Sequence, residues 1–217
     1  MKGILFKESM FRAVIEGRKT QTRRIVTPQP DERGLRTTNT LFEDWHGNKA
    51  KPRYKVSEIV YLKEPYIDDL TMNKVFYKFK PEDKKEIEEF QLPYIPNPWK
   101  NKLFMPSEVA RYFIKIKNVR AERVAEISEE DAIAEGIVET GFGFTTLPMP
   151  EKNIPMYATA KDAFEKLWDS INLRYKRDKH GNLIAYPFKG KTITRTEGNI
   201  QVISNPWVWV YEFELIK

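Results

Sequence analysis

The stretch Trp207 to Ile216 (WVWVYEFELI) constrains the fold more than any other part of the sequence. Read as a strand, it places Trp207, Trp209, Tyr211, Phe213 and Leu215 on one face and Val208, Val210, Glu212 and Glu214 on the other. The first face is wholly apolar, and the second turns polar only toward its end. A strand that is apolar on both faces needs cover on both, so this one is expected in the middle of a sheet.

Other elements follow from periodicity. Ser9 to Glu16 puts Met10, Phe11, Val14 and Ile15 on one helical face, with Ser9 as N-cap and Gly17 at the left-handed position that ends a helix. Thr20 to Val26 reads as a strand with Thr20, Thr22 and Arg24 on one side and Gln21, Arg23 and Ile25 on the other. Pro28 and Pro30 stop it. Strands are expected at Glu58 to Lys63, Lys74 to Phe79 and Arg111 to Val124. In the last, Tyr112, Ile114 and Ile116 share a face. Ser128 and the acidic turn after it have capping-box spacing and start a short helix closed by Gly136; Thr159 and Asp162 cap another, with Ala163, Phe164, Leu167, Trp168 and Ile171 as its core face.

Between these elements lie polar, Pro- and Gly-rich or charged stretches near 31–57, 80–101, 140–158 and 174–201, which read as long loop insertions. Unevenly spaced strands punctuated by three short helices give an α+β fold with a small, partly closed sheet or barrel, as one domain over 1–217.

Composition removes several function classes. Cysteine is absent, which excludes disulfides, thiol nucleophiles and Cys-ligated metals, and His46 and His180 stand apart in glycine turns, so no metal or cofactor is expected. No apolar run approaches the ~20 residues needed to span a bilayer, and charge follows Phe6 at once, so no membrane association is expected and a cytoplasmic location is. There is no P-loop, no strand-borne GxGxxG and no GxSxG; GFGF at 141–144 lacks the flanking strand and helix that a nucleotide loop needs. A net charge of +6 tilts the chain toward an anionic partner.

The segment Gly17 to Arg24 (GRKTQTRR) carries the chemistry that remains. It reads either as a solvated basic edge or as a site in which Lys19, with a lowered pKa, takes a proton from the Thr22 hydroxyl. Arg18 and Arg23 are natural phosphate contacts. Far downstream, Glu135 stands at the C-terminal end of its predicted helix, where the macrodipole disfavours a carboxylate by about 0.3–1 kcal/mol. A charge placed against the local field is compensated by a cation or kept for function.

GRKTQTRR, SEEDAIAEGI and NPWVWVYEFEL, in this order, resemble the ASCH domain family of PUA-like β-barrels, most closely its phage and prophage members, over Gly3 to Leu215. The resemblance implies a PUA-like barrel flanked by short helices, with a cleft that binds RNA or other nucleic acid. Small bacterial members are amidohydrolases that deacetylate acetylcytidine, and on that pattern Thr22 maps to the nucleophile, Lys19 to its base and Glu135 to the acid or orienting group. Those enzymes are about half this length.

The leading expectation is therefore a binder of nucleic acid or a modified nucleoside, using Arg18, Lys19, Thr20, Thr22, Arg23 and Arg24 with Glu135. Aromatic residues near the cleft would stack on bases. The alternatives are an acetylcytidine-type amidohydrolase built on Lys19, Thr22 and Glu135, and a phage interaction or assembly factor docking through the insertions.

Overall fold

In a computed structural model, the described residues are 1–30, 33–38, 41–44, 46–69, 73–90, 98–146, 155–173, 176–177, 183–189, 194–197 and 200–216. Five strands make the principal sheet: β1 (Lys2–Leu5), β2 (Gln21–Ile25), β3 (Ile59–Lys63), β4 (Phe113–Arg123) and β5 (Trp207–Leu215). The α-helices are α1 (Glu8–Ile15), α2 (Pro81–Phe90), α3 (Glu129–Ala134) and α4 (Ala160–Asn172). The spatial order is β1-β3-β4-β5-β2, with β1 parallel to β3 and every other pair antiparallel.

β5 is interior to the sheet, paired along its length with β4 and on its other side with β2, as its two apolar faces require. Its aromatic face, Trp209, Tyr211 and Phe213, joins a core of Ile4, Phe11, Val14, Leu62, Ile114 and Ile116. Its valine face, Val208 and Val210, joins a second core under α3 and α4, with Ile127, Ala132, Phe164, Trp168 and Phe188. Tyr211 is fully buried; desolvation pushes its phenol up to about 12, and its oxygen accepts the Arg53 N–H at 2.9 Å.

The helices end where glycine permits. Gly17 closes α1 at φ +74° and Gly136 closes α3 at φ +99°, a backbone conformation costly for residues with a Cβ. Ser128 caps α3 by accepting the Asp131 N–H, and Thr159 caps α4 by accepting that of Asp162. Ser9, however, lies inside α1; the N-cap is Lys7, without a side-chain hydrogen bond, because the helix begins at Glu8, two residues earlier than the apolar pattern that opens at Met10.

Several elements differ from the sequence reading. The charged run at 81–90 is a helix, α2, whose Ile87 packs on Ile67 and Phe76 of the hairpin Tyr66–Asp69/Lys74–Tyr77; a single buried apolar side chain among its described ones gives too little periodicity to read. Lys102–Phe104 is a 3-10 turn. The stretch at 31–57 contains a three-stranded sheet, and the described part of 174–201 contributes to a four-stranded one, Lys176–Arg177, Leu183–Ala185, Ile200–Ile203 and Thr194–Glu197. Ile171 is 37% exposed and stands at the rim of the core face of α4. His180, 91–97 and 147–154 lie outside the described residues.

The fold is mixed α+β, but no closed barrel forms among the described residues: β1 and β2 are edges of an open sheet. Side chains take the place of a closing ladder on the free edge of β1. Tyr54 donates to the Gly3 carbonyl (3.0 Å) and Arg24 of β2 to that of Leu5 (2.7 Å), while Lys102 donates to that of Phe6 (2.6 Å), the residue just past the strand. The edge carbonyls are thereby satisfied without strand pairing.

Phe11 is fully buried and meets Phe79 and Tyr112 edge-on, so Phe11→Ala leaves a cavity in the main core. The expected cost is about 3–5 kcal/mol, read as a shift of the denaturant midpoint at unchanged slope.

Candidate functional site

The C-terminal ends of α1 and α3 converge on the segment between Gly17 and Gln21. The Lys19 amide donates to the Ala13 carbonyl of α1 (2.9 Å) and the Thr20 amide to the Ala134 carbonyl of α3 (2.8 Å). The Lys19 ammonium donates to the backbone carbonyl of Glu135 (2.7 Å) and to its Oε2 (2.5 Å). One side chain thus neutralises the carboxylate and caps the helix end that it occupies, which resolves the unfavourable position of Glu135. A Cβ at Gly136 would stand in ordinary contact, 3.4 Å from that of Lys19 and 3.5 Å from that of Ala13, so it is the backbone φ of +99° that calls for glycine at this turn.

Glu135 has a second cation. Arg23 Nη1 reaches its Oε1 at 3.2 Å. The rest of the guanidinium is spent on Glu122 (Nε 2.9 Å, Nη2 2.7 Å), Asp131 (2.7 Å) and the Gln21 amide oxygen (3.1 Å). Arg120 extends the network to Asp131 (2.5 Å), Glu122 (3.1 Å) and Glu212. Register explains the assembly: Arg23 and Arg120 both flank Val210 across β5, so both lie on the face that α3 covers.

The pairing sets the protonation energetics. Burial pushes the Lys19 ammonium down from the ordinary lysine value, and Glu135 opposes that shift without cancelling it. Burial works to raise the Asp131 carboxyl, but the Gln21 hydrogen bond and the charges of Arg23 and Arg120 hold it below the usual range.

A cavity of about 850 Å³ opens along the two free edges of the sheet, lined by residues of both β1 and β2. Lys19, Thr22, Arg23, Arg24 and Glu135 all border it, with Tyr54, Phe164, Trp168, Trp209 and Tyr211 as aromatic walls. Lys51, Arg53, Lys63 and Lys102 add positive charge, and Glu135 is the sole carboxylate among its described lining residues. The Thr22 hydroxyl makes no side-chain hydrogen bond among the described residues, whereas Lys19 is committed to Glu135 and forms none with Thr22. No cluster of His, Asp and Glu among the described residues has the form of a metal site.

The structure thus brings Lys19, Thr22, Arg23, Arg24 and Glu135 to one cavity and leaves the other two sequence candidates outside it. Arg18 pairs with Glu16 at the surface, and Thr20 is exposed, its backbone oxygen accepting the Phe213 N–H at 2.8 Å. Arg23, expected as a phosphate contact, is buried among carboxylates; its alternation on β2 was legible, but the acids that meet it lie on other elements. Sequence reasoning also missed Lys51, Arg53, Tyr54, Lys63 and Lys102. They stand in stretches read as loops or short strands, and only the apposition of β1, β2 and the 3-10 turn collects them.

Comparison with family models, curated proteins and solved structures gives no significant match to this chain.

Glu135→Gln leaves the buried Lys19 ammonium without its carboxylate and takes one of three carboxylates from Arg23, and is expected to cost about 3–5 kcal/mol in denaturant unfolding at neutral pH. The double variant Lys19→Met/Glu135→Leu should cost less than Glu135→Gln, since it removes the buried charges together. Asp131 gives an acid dependence. Its folded-state carboxyl lies below the ordinary value of 3.8, so its contribution is complete above that pH and is lost as pH falls through the folded value. Stability measured from pH 6 downward should therefore fall below about pH 4, and less steeply in Asp131→Asn.

Proposed function

We propose that this protein binds nucleic acid, RNA foremost, or a modified nucleoside in the cavity between β1 and β2. The observation that carries the reading is the charge imbalance of the cavity. Its only described carboxylate, Glu135, is already paired with Lys19 and Arg23, while Arg24, Lys51, Arg53, Lys63 and Lys102 border the same space. Cations gathered in a concave, partly dry site raise the local concentration of an anionic ligand. Aromatic walls beside them suit a base, whose stacking is worth about 1–3 kcal/mol.

The ASCH and PUA-like reading belongs to the same proposal. In support of it, the two sheet edges approach closely enough for Arg24 to link them, so the sheet curves toward closure. No helix among the described residues is long and apolar enough to cross a membrane.

Binding of a single-stranded oligonucleotide, followed by fluorescence anisotropy across a salt series, tests the reading. Affinity should fall steeply with salt, and Arg53→Ala or Lys51→Ala should each lower the slope of log K against log salt by about one. Arg23→Ala should leave that slope unchanged, because Arg23 faces carboxylates. Lack of affinity at low salt for both oligonucleotide and nucleoside would remove the proposal.

A second reading has its own observation: the unbonded Thr22 hydroxyl shares the cavity with Lys19 and Glu135. In an amidohydrolase of the acetylcytidine type, Thr22 would attack the amide carbonyl, its proton passing to a deprotonated Lys19 and on to the departing amine. Burial favours the neutral lysine, but the pair with Glu135 must first open. Cytidine released from acetylcytidine, and abolished in Thr22→Ala, would establish this reading; turnover that survives Thr22→Ala would exclude it.

A further inference from the structure

Arg24 and Lys102 are the two cations of this cavity that converge on one strand end. Arg24 comes from β2 and Lys102 from the 3-10 turn, yet the two meet at adjacent carbonyls of one strand end, those of Leu5 and Phe6. Neither forms an ion pair among the described residues. The carboxylates nearest in electrostatic terms are taken: Glu135 by Lys19 and Arg23, Glu8 by Arg12. Each has a single side-chain hydrogen bond among the described residues, to a backbone carbonyl, so the remaining donors of a guanidinium and an ammonium have no protein acceptor there and are open to the cavity.

Two part-buried cations anchored on consecutive residues without a counter-ion are near enough to repel one another. Partial withdrawal from water pushes both below their ordinary values, and Arg24 adds to the shift of Lys102. Structural cations in such surroundings are ordinarily paired. The carbonyl anchors show that these two are held in place: Arg24 also packs over the Phe6 ring at 5.4 Å, and Lys102 over that of Phe79 at 5.8 Å. A planar fork of N–H donors beside a point charge is the arrangement that grips a phosphate.

We propose that Arg24 and Lys102 form a phosphate subsite of the cavity, so that its ligand is a nucleotide or a nucleic-acid strand and not an unphosphorylated nucleoside. This rests on the reading of the cavity as a nucleotide-binding site and narrows it. The phosphate comes either from the terminus of a free nucleotide or from a strand backbone. Tyr54 and Tyr211 also line the cavity close to Arg24.

Calorimetric titration at low salt with adenosine, adenosine 5′-monophosphate, inorganic phosphate and a 5′-hydroxyl oligouridylate separates the possibilities. The wild-type protein should bind a phosphate-bearing probe at least about tenfold more tightly than adenosine, with inorganic phosphate competing. Lys102→Gln, which keeps a donor for the Phe6 carbonyl, should bring that preference close to one while leaving adenosine binding unchanged. Arg24→Gln should do the same, with its melting transition checked because it links the sheet edges. Tight monophosphate binding with no competition from the oligouridylate assigns the site to a free nucleotide, and the reverse assigns it to a strand. Adenosine binding as tight as that of either phosphate-bearing probe, or a phosphate preference untouched by both substitutions, overturns the subsite while sparing the wider binding reading. Absence of binding by every probe overturns both.

Discussion

The contact between Lys19 and Glu135 is the constraint on which the rest of the site depends. Two helices, α1 and α3, end against the same short segment, and each presents carbonyls that its own hydrogen bonding leaves unused. The backbone of Lys19 and Thr20 satisfies one carbonyl from each helix, and the Lys19 ammonium satisfies a third along with a carboxylate. An acid placed against a helix dipole is stable here because a cation with almost no exposure to water lies on it. The same contact fixes where β2 begins and hence which way Thr22 and Arg23 point.

From that start, β2 divides its residues between two environments. Arg23 falls on the side covered by α3, among Glu122, Asp131 and Glu135, and stitches helix to sheet. Thr22 and Arg24 fall on the side of Tyr211 and Trp209, beside the cavity. Neighbouring arginines with the same formal charge therefore have opposite roles: Arg23 is surrounded by acids, and Arg24 has only a carbonyl. The difference arises from pleat alternation, since successive side chains leave a strand on opposite faces.

The open edges of the sheet make the cavity. A ladder joining β1 to β2 would have consumed the edge carbonyls and filled the gap; donors from Tyr54, Arg24 and Lys102 satisfy those groups instead and leave space between the strands. Positive charge accumulates there because the donors that suit an exposed carbonyl are largely lysine and arginine. A single structural device thus closes off an edge that would invite strand pairing and supplies cations to a concave surface.

The sequence by itself determined the elements whose pattern is local. The two apolar faces of Trp207–Leu215 dictated its interior place, Gly17 and Gly136 dictated the ends of α1 and α3, and Ser128 and Thr159 dictated their caps. It also marked Lys19, Thr22 and Glu135 as worth connecting, through the misplaced charge and the family-like order of motifs. Helix α2 escaped notice because one buried isoleucine does not make a periodicity. Tertiary structure alone decided that Lys19 pairs with Glu135 and not with Thr22, that Arg23 is enclosed while Arg24 is left short of a counter-ion, and that Lys102 joins it. These outcomes depend on which charges meet across separations of roughly a hundred residues. Propensity and periodicity act over a few residues and hold no information about such meetings; strand register and helix packing do.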